Sequence, residues 1–227
     1  MEHSPENIAP SSEGTGAKAP RSAGRPRSEG ARRAVLDAAY AILVETGLGK
    51  FSIEAVALRS GVARTTIYRW WPSKGLLAIE SFLEAFRPQL AYAETGDAAA
   101  DFRAFVRSLA HALSGPAGRI AASVVAQAQS DPETRQMFLE TVSKPLRHES
   151  SQLLARGIKG GELRADLDVP LVLDAAVGAV YLRLLLGQPL DASWSHALSD
   201  TVLRGCLAGR NLPFNPSKPL RHRTSSG

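Results

Sequence analysis

The chain has 227 residues, 44% of them apolar, one cysteine and a formal net charge of +5. Such a length buries a core without covalent staples, and a single cysteine excludes an intramolecular disulfide and fits a reducing cytoplasm. Alanine and leucine dominate over valine, isoleucine and threonine, which favours helix over sheet, and the longest apolar run, residues 169–186, carries Asp174 and Arg183 and so reads as a buried helix, not as a membrane span.

Residues 1–24 are rich in Pro, Ser, Gly and Ala without a period and read as disordered. No apolar segment of a signal peptide occurs in residues 1–33. With the GRPR that follows, residues 1–27 form an expected N-terminal arm, kept extended by Pro26, from which Arg25 and Arg27 stand out.

Ser28 is the expected cap of a first helix, with Val35, Leu36, Ala39, Tyr40 and Leu43 on one stripe and Gly47 as its stop. Ser52 caps a second, short helix with Ile53, Val56 and Ala57 inward, ended by Gly61. A third helix is expected from Val62 or Ala63 to Trp71. Pro72 breaks it, and Ser73 caps a fourth that reaches about Tyr92. Further helices are expected over 98–113 and 118–130. Asp131-Pro132-Glu133 opens another that runs toward Gly157 and is interrupted at Pro145. Asp168 caps the apolar helix 169–186, and a last helix covers about 193–208. The tail 210–227 reads as loose. The expected fold is all-α: a three-helix helix-turn-helix unit over 28–75, joined to a larger helical body over 76–209.

Charge divides the same way. Residues 55–79 hold Arg59, Arg64, Arg69 and Lys74 and no acid, whereas residues 94–203 are net −3. A local positive field beside a mildly acidic body suits one region that meets a polyanion and another that does something else.

The stretch GVARTTIYRWWPSK, residues 61–74, explains the first of these. On a helix, residues four apart share a face. Ile67 and Trp71 share the side that packs inward. Arg64 with Tyr68, and Thr65 with Arg69, make a polar ridge one helix wide, which fits the major groove of B-DNA. The second helix would cross the backbone, with Ser52 and the helix's first amides toward a phosphate. Lys74 and the Trp70 indole N–H supply further donors. A small three-helix core with a basic outer face is the alternative on these residues alone.

The run ARRAVLDAAYAILVETG followed by FSIEAVALRSGVARTTIYRWWPSKGLLAIESF resembles the N-terminal domain of TetR/AcrR-family transcriptional regulators, matching its pattern at Ser52, Gly61, Val62, Thr66, Ile67, Tyr68, Trp71, Ser73 and Lys74. It departs at Trp70, where the family often has His or Arg. The resemblance implies that Arg64, Thr65, Thr66 and Arg69 face base edges, and that Ser52, Thr66, Tyr68, Trp70 and Lys74 hold phosphates. Arg25 and Arg27 would reach the adjacent minor groove. DPETRQMFLE and GELRADLDVPLVLDAAVGAVYLRLLLGQPLD are similar to C-terminal domains of a subset of these regulators. That likeness implies a dimeric, ligand-sensing body.

Two sets of residues are candidates for these roles. Phe102, Phe105, Leu109 and Val124, with Gln127, Met137, Phe138 and Tyr181, are candidates for lining an effector pocket, although such spacing also describes plain core. Leu171, Ala175, Gly178 and Ala179 on the apolar helix, with Leu198, Val202 and Cys206 on the last, are candidates for a twofold four-helix interface. The five histidines are scattered, and no phosphate-binding, dinucleotide-binding or nucleophile-elbow motif occurs. The expectation is a cytoplasmic regulator, not an enzyme, without cofactor or metal. Its partners would be a palindromic double-stranded operator, a second copy of the chain and a small-molecule effector, with no membrane. A constitutive DNA-binding protein without effector, or a helical interaction module with an incidental basic face, are the alternatives.

Overall fold

The computed structural model describes residues 25–208, with side chains from Glu29 onward. Ten α-helices follow one another: α1 Arg25–Thr46, α2 Ile53–Ser60, α3 Arg64–Trp70, α4 Lys74–Phe86, α5 Ala98–Leu113, α6 Pro116–Ala128, α7 Pro132–Phe138, α8 Lys144–Lys159, α9 Val169–Leu185 and α10 Ala192–Cys206. No β-strand occurs among the described residues, only an isolated antiparallel bridge between Leu163 and Leu207. No described helix is long and apolar enough to cross a membrane.

Local chemistry sets most of the boundaries. The side chains of Ser52, Ser73, Asp97, Asp131, Asp168 and Asp191 each accept from a backbone N–H in the first turn of the helix they precede, satisfying donors that have no intrahelical partner. Some boundaries differ from expectation, among them those of α1 and α4. α1 begins at Arg25, ahead of the Ser28 cap, so Arg25 and Arg27 stand in its first turn and not in an extended arm. Pro26 permits this because its missing N–H is one that a first turn leaves unpaired. Residues 1–24 of the expected arm, and the tail 210–227, lie outside the described residues. α4 stops at Phe86 and a 3-10 turn, Arg87–Leu90, follows, since Pro88 has no N–H to continue the ladder. Between α7 and α8 the chain stays helical but widens into a π turn, Leu139–Ser143. Pro145 cannot donate to the carbonyl of Thr141 and its ring crowds that oxygen, which the wider turn relieves.

One buried cluster runs through the whole molecule. In the N-terminal unit it is built from Val35, Leu36, Ala39 and Leu43 of α1, Ile53 and Val56 of α2, Ile67 and Trp71, and Leu77 and Phe82 of α4. α5 lies at the centre of the body, packed on α6, α8, α9 and α10, with Phe102, Phe105, Val106 and Leu109 buried. α4 belongs to both parts, since it packs on α1 and also on α6 and α7. Arg33 on α1 reaches Glu84 on α4 at 2.9 Å.

The closest approach in the body is at Gly118, where a β-carbon would run into the backbone carbonyl of Leu113 and lie 3.1 Å from Leu184 Cδ1. A backbone oxygen cannot swing aside as a flexible side chain would. Gly118→Ala should therefore push α6 off α5 and cost about 1–3 kcal/mol, read as a lowered midpoint in urea at unchanged slope. An unchanged midpoint would show that the two helices are not held this closely.

Candidate nucleic-acid interface and ligand cavity

The turn before α3 depends on Gly61, which ends α2 with φ +69° and donates its N–H to Ala57 O at 3.0 Å. Any side chain is strained in that left-handed conformation. Three residues later the chain is helical again, so α2 and α3 form the short-turned pair expected over residues 52–71.

α3 is seated by two side chains: Ile67 is 0% exposed and Trp71, its C-cap, 1%. The other residues of α3 turn partly or wholly outward. Arg64, Thr65, Tyr68 and Arg69 are exposed, and Thr66 and Trp70 are half-buried. Lys74, opening α4, is exposed, while Ser52, before α2, is half-buried with its Oγ accepting from Ala55 N at 3.2 Å. Trp70 stands edge-on to Trp71, centroids 5.6 Å apart, so part of its ring is spent on packing. No chain segment among the described residues covers the ridge, and its outer charges remain available to a polyanion.

Two contacts at this site were not legible in the spacing of residues 61–74. Arg64 Nη1 pairs with Glu54 Oε1 of α2 at 3.4 Å. Both side chains are largely exposed, so the pair contributes little to stability, but it holds Arg64 across the helix-turn-helix and leaves Arg69 as the guanidinium on the ridge with no acceptor among the described residues. The second contact lies behind α3. Glu80 of α4 accepts from the Trp71 indole N–H through one oxygen and from Arg32 of α1 through the other, and the Arg32 guanidinium sits 5.5 Å over the Trp71 ring. A hydrogen bond to a charged acceptor is stronger than a neutral one, so α1, α3 and α4 meet at one carboxylate. The signal for it is that Glu80 is the first acid after the all-basic stretch 55–79.

In the body the eight pocket candidates separate. Phe105, Phe138 and Tyr181 line one cavity of about 310 Å³, with Leu146 of α8 and Leu173, Asp174 and Val177 of α9. Val124, Gln127 and Met137 line a different cleft of about 330 Å³, against Ser73, Lys74 and Gly75 at the start of α4. Phe102 and Leu109, 0% and 1% exposed, are core and line neither. Helical spacing places all eight inward but does not say which neighbours leave a void. Burial pushes the Tyr181 phenol up to about 12, with no hydrogen bond opposing the shift. Its hydroxyl is thus a neutral donor against a largely apolar wall. The cavity's charges, Arg147 and Asp174, pair with each other at 2.5 Å.

The interface candidates also divide. α9 buries Leu173, Ala176 and Val180 in its own subunit. Its opposite face exposes Leu171, Ala175, Gly178, Leu182 and Leu185, with Leu186 at the C-cap, a longer stripe than the expected Leu171, Ala175 and Gly178. Ala179 is half-buried. On α10, Cys206 is 3% exposed and belongs to the subunit's core, a correction to its expected place in an interface. Leu198 and Val202 are half-buried against that same core. α10 packs on α5, and Leu198 and Val202 keep part of their surface outside that contact.

Comparison with known proteins agrees with this architecture. The family model described as bacterial regulatory proteins, tetR family, matches residues 35–80, and that described as tetracyclin repressor-like, C-terminal domain, matches residues 92–202. The uncharacterized HTH-type transcriptional regulator YdeS of Bacillus subtilis is 31% identical over 186 residues, 82% of this chain and 94% of its own length. The DNA-binding transcriptional repressor TetR of Mycobacteroides abscessus is 27% identical over 180 residues, 78% of this chain and 94% of its own. Among solved structures, the TetR family transcription regulator SCO0332 is 36% identical with a TM-score of 0.69, covering 77% of this chain and 97% of that one.

Proposed function

Since the chain belongs to the TetR family of transcriptional regulators, and is a DNA-binding regulator of that kind, we propose that it works as a homodimeric repressor released from a palindromic operator by a small, mostly apolar effector. On this reading Arg64, Thr65, Thr66 and Arg69 face base edges in the major groove. Ser52, Tyr68, Trp70 and Lys74, with Thr66 again, hold phosphates, and Arg25 and Arg27 on the first turn of α1 lie toward the neighbouring minor groove. The outward aspect of α3 over a buried Ile67 and Trp71 supports this.

The α9 stripe from Leu171 to Leu186 is the surface on which a second copy would pack. Its small residues, Ala175 and Gly178, let two helices approach closely. Twofold pairing there would set two α3 helices toward successive turns of one duplex face.

One observation carries the effector reading. Phe138 lines the apolar cavity, and its neighbour Met137 fills the space over Gly75, its Cε 3.5 Å from where a β-carbon there would stand. Gly75 is the second residue of α4, next to Lys74. Two adjacent residues of the seven-residue α7 thus touch the ligand space on one side and the phosphate-side helix on the other. A ligand that displaces Phe138 would turn Met137 against α4. It releases DNA only to the extent that it prefers the displaced state. The chemistry of the cavity selects a compact neutral molecule with one acceptor for the Tyr181 hydroxyl.

The test has two stages. Neutral apolar compounds that raise the melting temperature are sought first, then titrated against the protein bound to an operator selected from random DNA. A stabiliser should weaken operator binding by about 5- to 150-fold, and Met137→Ala should bind both ligand and operator yet lose most of that coupling. A stabiliser that leaves operator affinity untouched would favour a constitutive DNA-binding protein, and a Met137→Ala variant that couples normally would remove α7 from the path.

A further inference from the structure

A further cleft is neither of the two already described. It holds about 980 Å³ between α5, the start of α6 and the turn that joins α9 to α10. Apart from Ser108, its polar lining sorts into two groups. Five side chains are committed within the chain: Gln89 donates to Ala85 O, Ser114 to His111 O and Ser195 to Ala192 O, while Gln188 accepts from Arg183 Nε and Asp191 accepts from Trp194 N. Arg107 and His111, four residues apart on one face of α5, and Arg119 in the first turn of α6 are the other group. None of these three side chains has a hydrogen-bond or ion-pair partner among the described residues, although other arginines of the body do: Arg103, Arg135, Arg147, Arg156 and Arg164 each hold a carboxylate or a carbonyl.

The imbalance is chemical as well as numerical. Asp191 is the cleft's acid, and its carboxylate caps α10. Two guanidiniums and an imidazole therefore share a concave site with a single carboxylate, itself bonded to a backbone N–H and paired with none of them, inside a body that carries more acid than base. Guanidiniums that share a cleft without partners of their own repel each other, and a bound anion offsets that repulsion while accepting charge-assisted hydrogen bonds. The remaining wall is apolar: Leu113, Ala122, Leu184 and Leu190.

We infer that this cleft is a second ligand site, distinct from the Tyr181 cavity, for an amphipathic organic anion. Its carboxylate is held by Arg107 and Arg119 and its apolar body lies along Leu113, Leu184 and Leu190. The two sites differ in the chemistry they select. The Tyr181 cavity has its only charges paired and takes a neutral molecule, whereas this cleft rejects cations and discriminates for negative charge.

The test is titration calorimetry of the full-length protein at low ionic strength with three chain-matched probes: decanoate, decan-1-ol and decyltrimethylammonium. Decanoate should bind, the alcohol at least about tenfold more weakly, and the cation not at all. Arg107→Ala with Arg119→Ala should weaken decanoate by about tenfold or more and leave the alcohol unaffected. Both arginines are exposed and unpartnered, so the double variant should keep its melting temperature, and Tyr181→Phe should leave decanoate binding unchanged. The inference is overturned if decanoate does not bind, if alcohol and acid bind alike, or if the arginine variant binds decanoate as the parent does. Loss of decanoate binding in Tyr181→Phe alone would also overturn it, by moving the anion to the other cavity. The effector reading above stands or falls separately, on release of operator DNA.

Discussion

Trp71→Ala should cost about 3–5 kcal/mol, the range for deleting a fully buried tryptophan, and should abolish operator binding. The residue is 1% exposed at the C-terminus of α3. It fills the space between α1, α3 and α4, and with Ile67 it seats the recognition helix. A loss of that size is a large fraction of the 5–15 kcal/mol that stabilises an ordinary domain. It also strips Glu80 of its indole donor and leaves the carboxylate to Arg32 alone. Trp71→Phe separates the two effects. The ring is largely kept and the N–H is lost, so stability should fall by only about 1–2 kcal/mol, while operator affinity falls further than the small change in folded fraction explains, because α3 is less firmly held to α4. Chemical denaturation and operator titration on the same preparations check both. If Trp71→Ala melts like the parent and binds DNA normally, the packing behind α3 is not what orients it.

The second large effect is in discrimination. Arg69→Ala should weaken binding to the preferred operator by about 1–3 kcal/mol and leave binding to random duplex nearly unchanged. The expectation comes from partnering: Arg64 already holds Glu54 at 3.4 Å, whereas Arg69 faces out with no acceptor among the described residues and is ready to form two hydrogen bonds to a guanine edge. Lys74→Ala provides the contrast. A lone ammonium at the start of α4 should touch a phosphate, so its loss should weaken all sequences alike and lower the salt slope by about one unit. If both variants lose affinity equally on specific and random DNA, the division into base-reading and phosphate-holding residues is wrong.

Much of this interface is legible along the chain because it depends on local rules. The Ser52 and Ser73 caps, the left-handed turn at Gly61 and the four-residue spacing of Ile67 and Trp71 act within one or two helical turns, and each is found where the spacing puts it. Glu80 and Glu54 are missing from that reading because their partners lie 9 and 48 residues, and 10 residues, away in the chain. Their geometry follows from how helices cross, and no periodicity encodes that. The same limit explains the pocket. Phe102 and Phe105 are three apart on one helix and both turn inward, yet one is packed solid and the other borders a void. Whether a buried ring meets another side chain or an empty space is decided by the volumes on the facing helices.

α9 shows the division plainly. That residues 169–185 form a helix beginning after Asp168 follows from one carboxylate, one proline in the first turn and a run rich in Leu and Ala. Which of its apolar faces is spent on the subunit does not follow, since an all-round apolar helix has no preferred side. Sequence alone determined the all-helical class, the caps, the family and the outward chemistry of α3, because these rest on contacts between residues close in the chain. Tertiary structure decided that Cys206 is core, that Leu182 and Leu186 are surface, that Met137 meets Gly75, and that two arginines and a histidine share one cleft. Those facts depend on distances between helices, and burial is a property of the assembled whole.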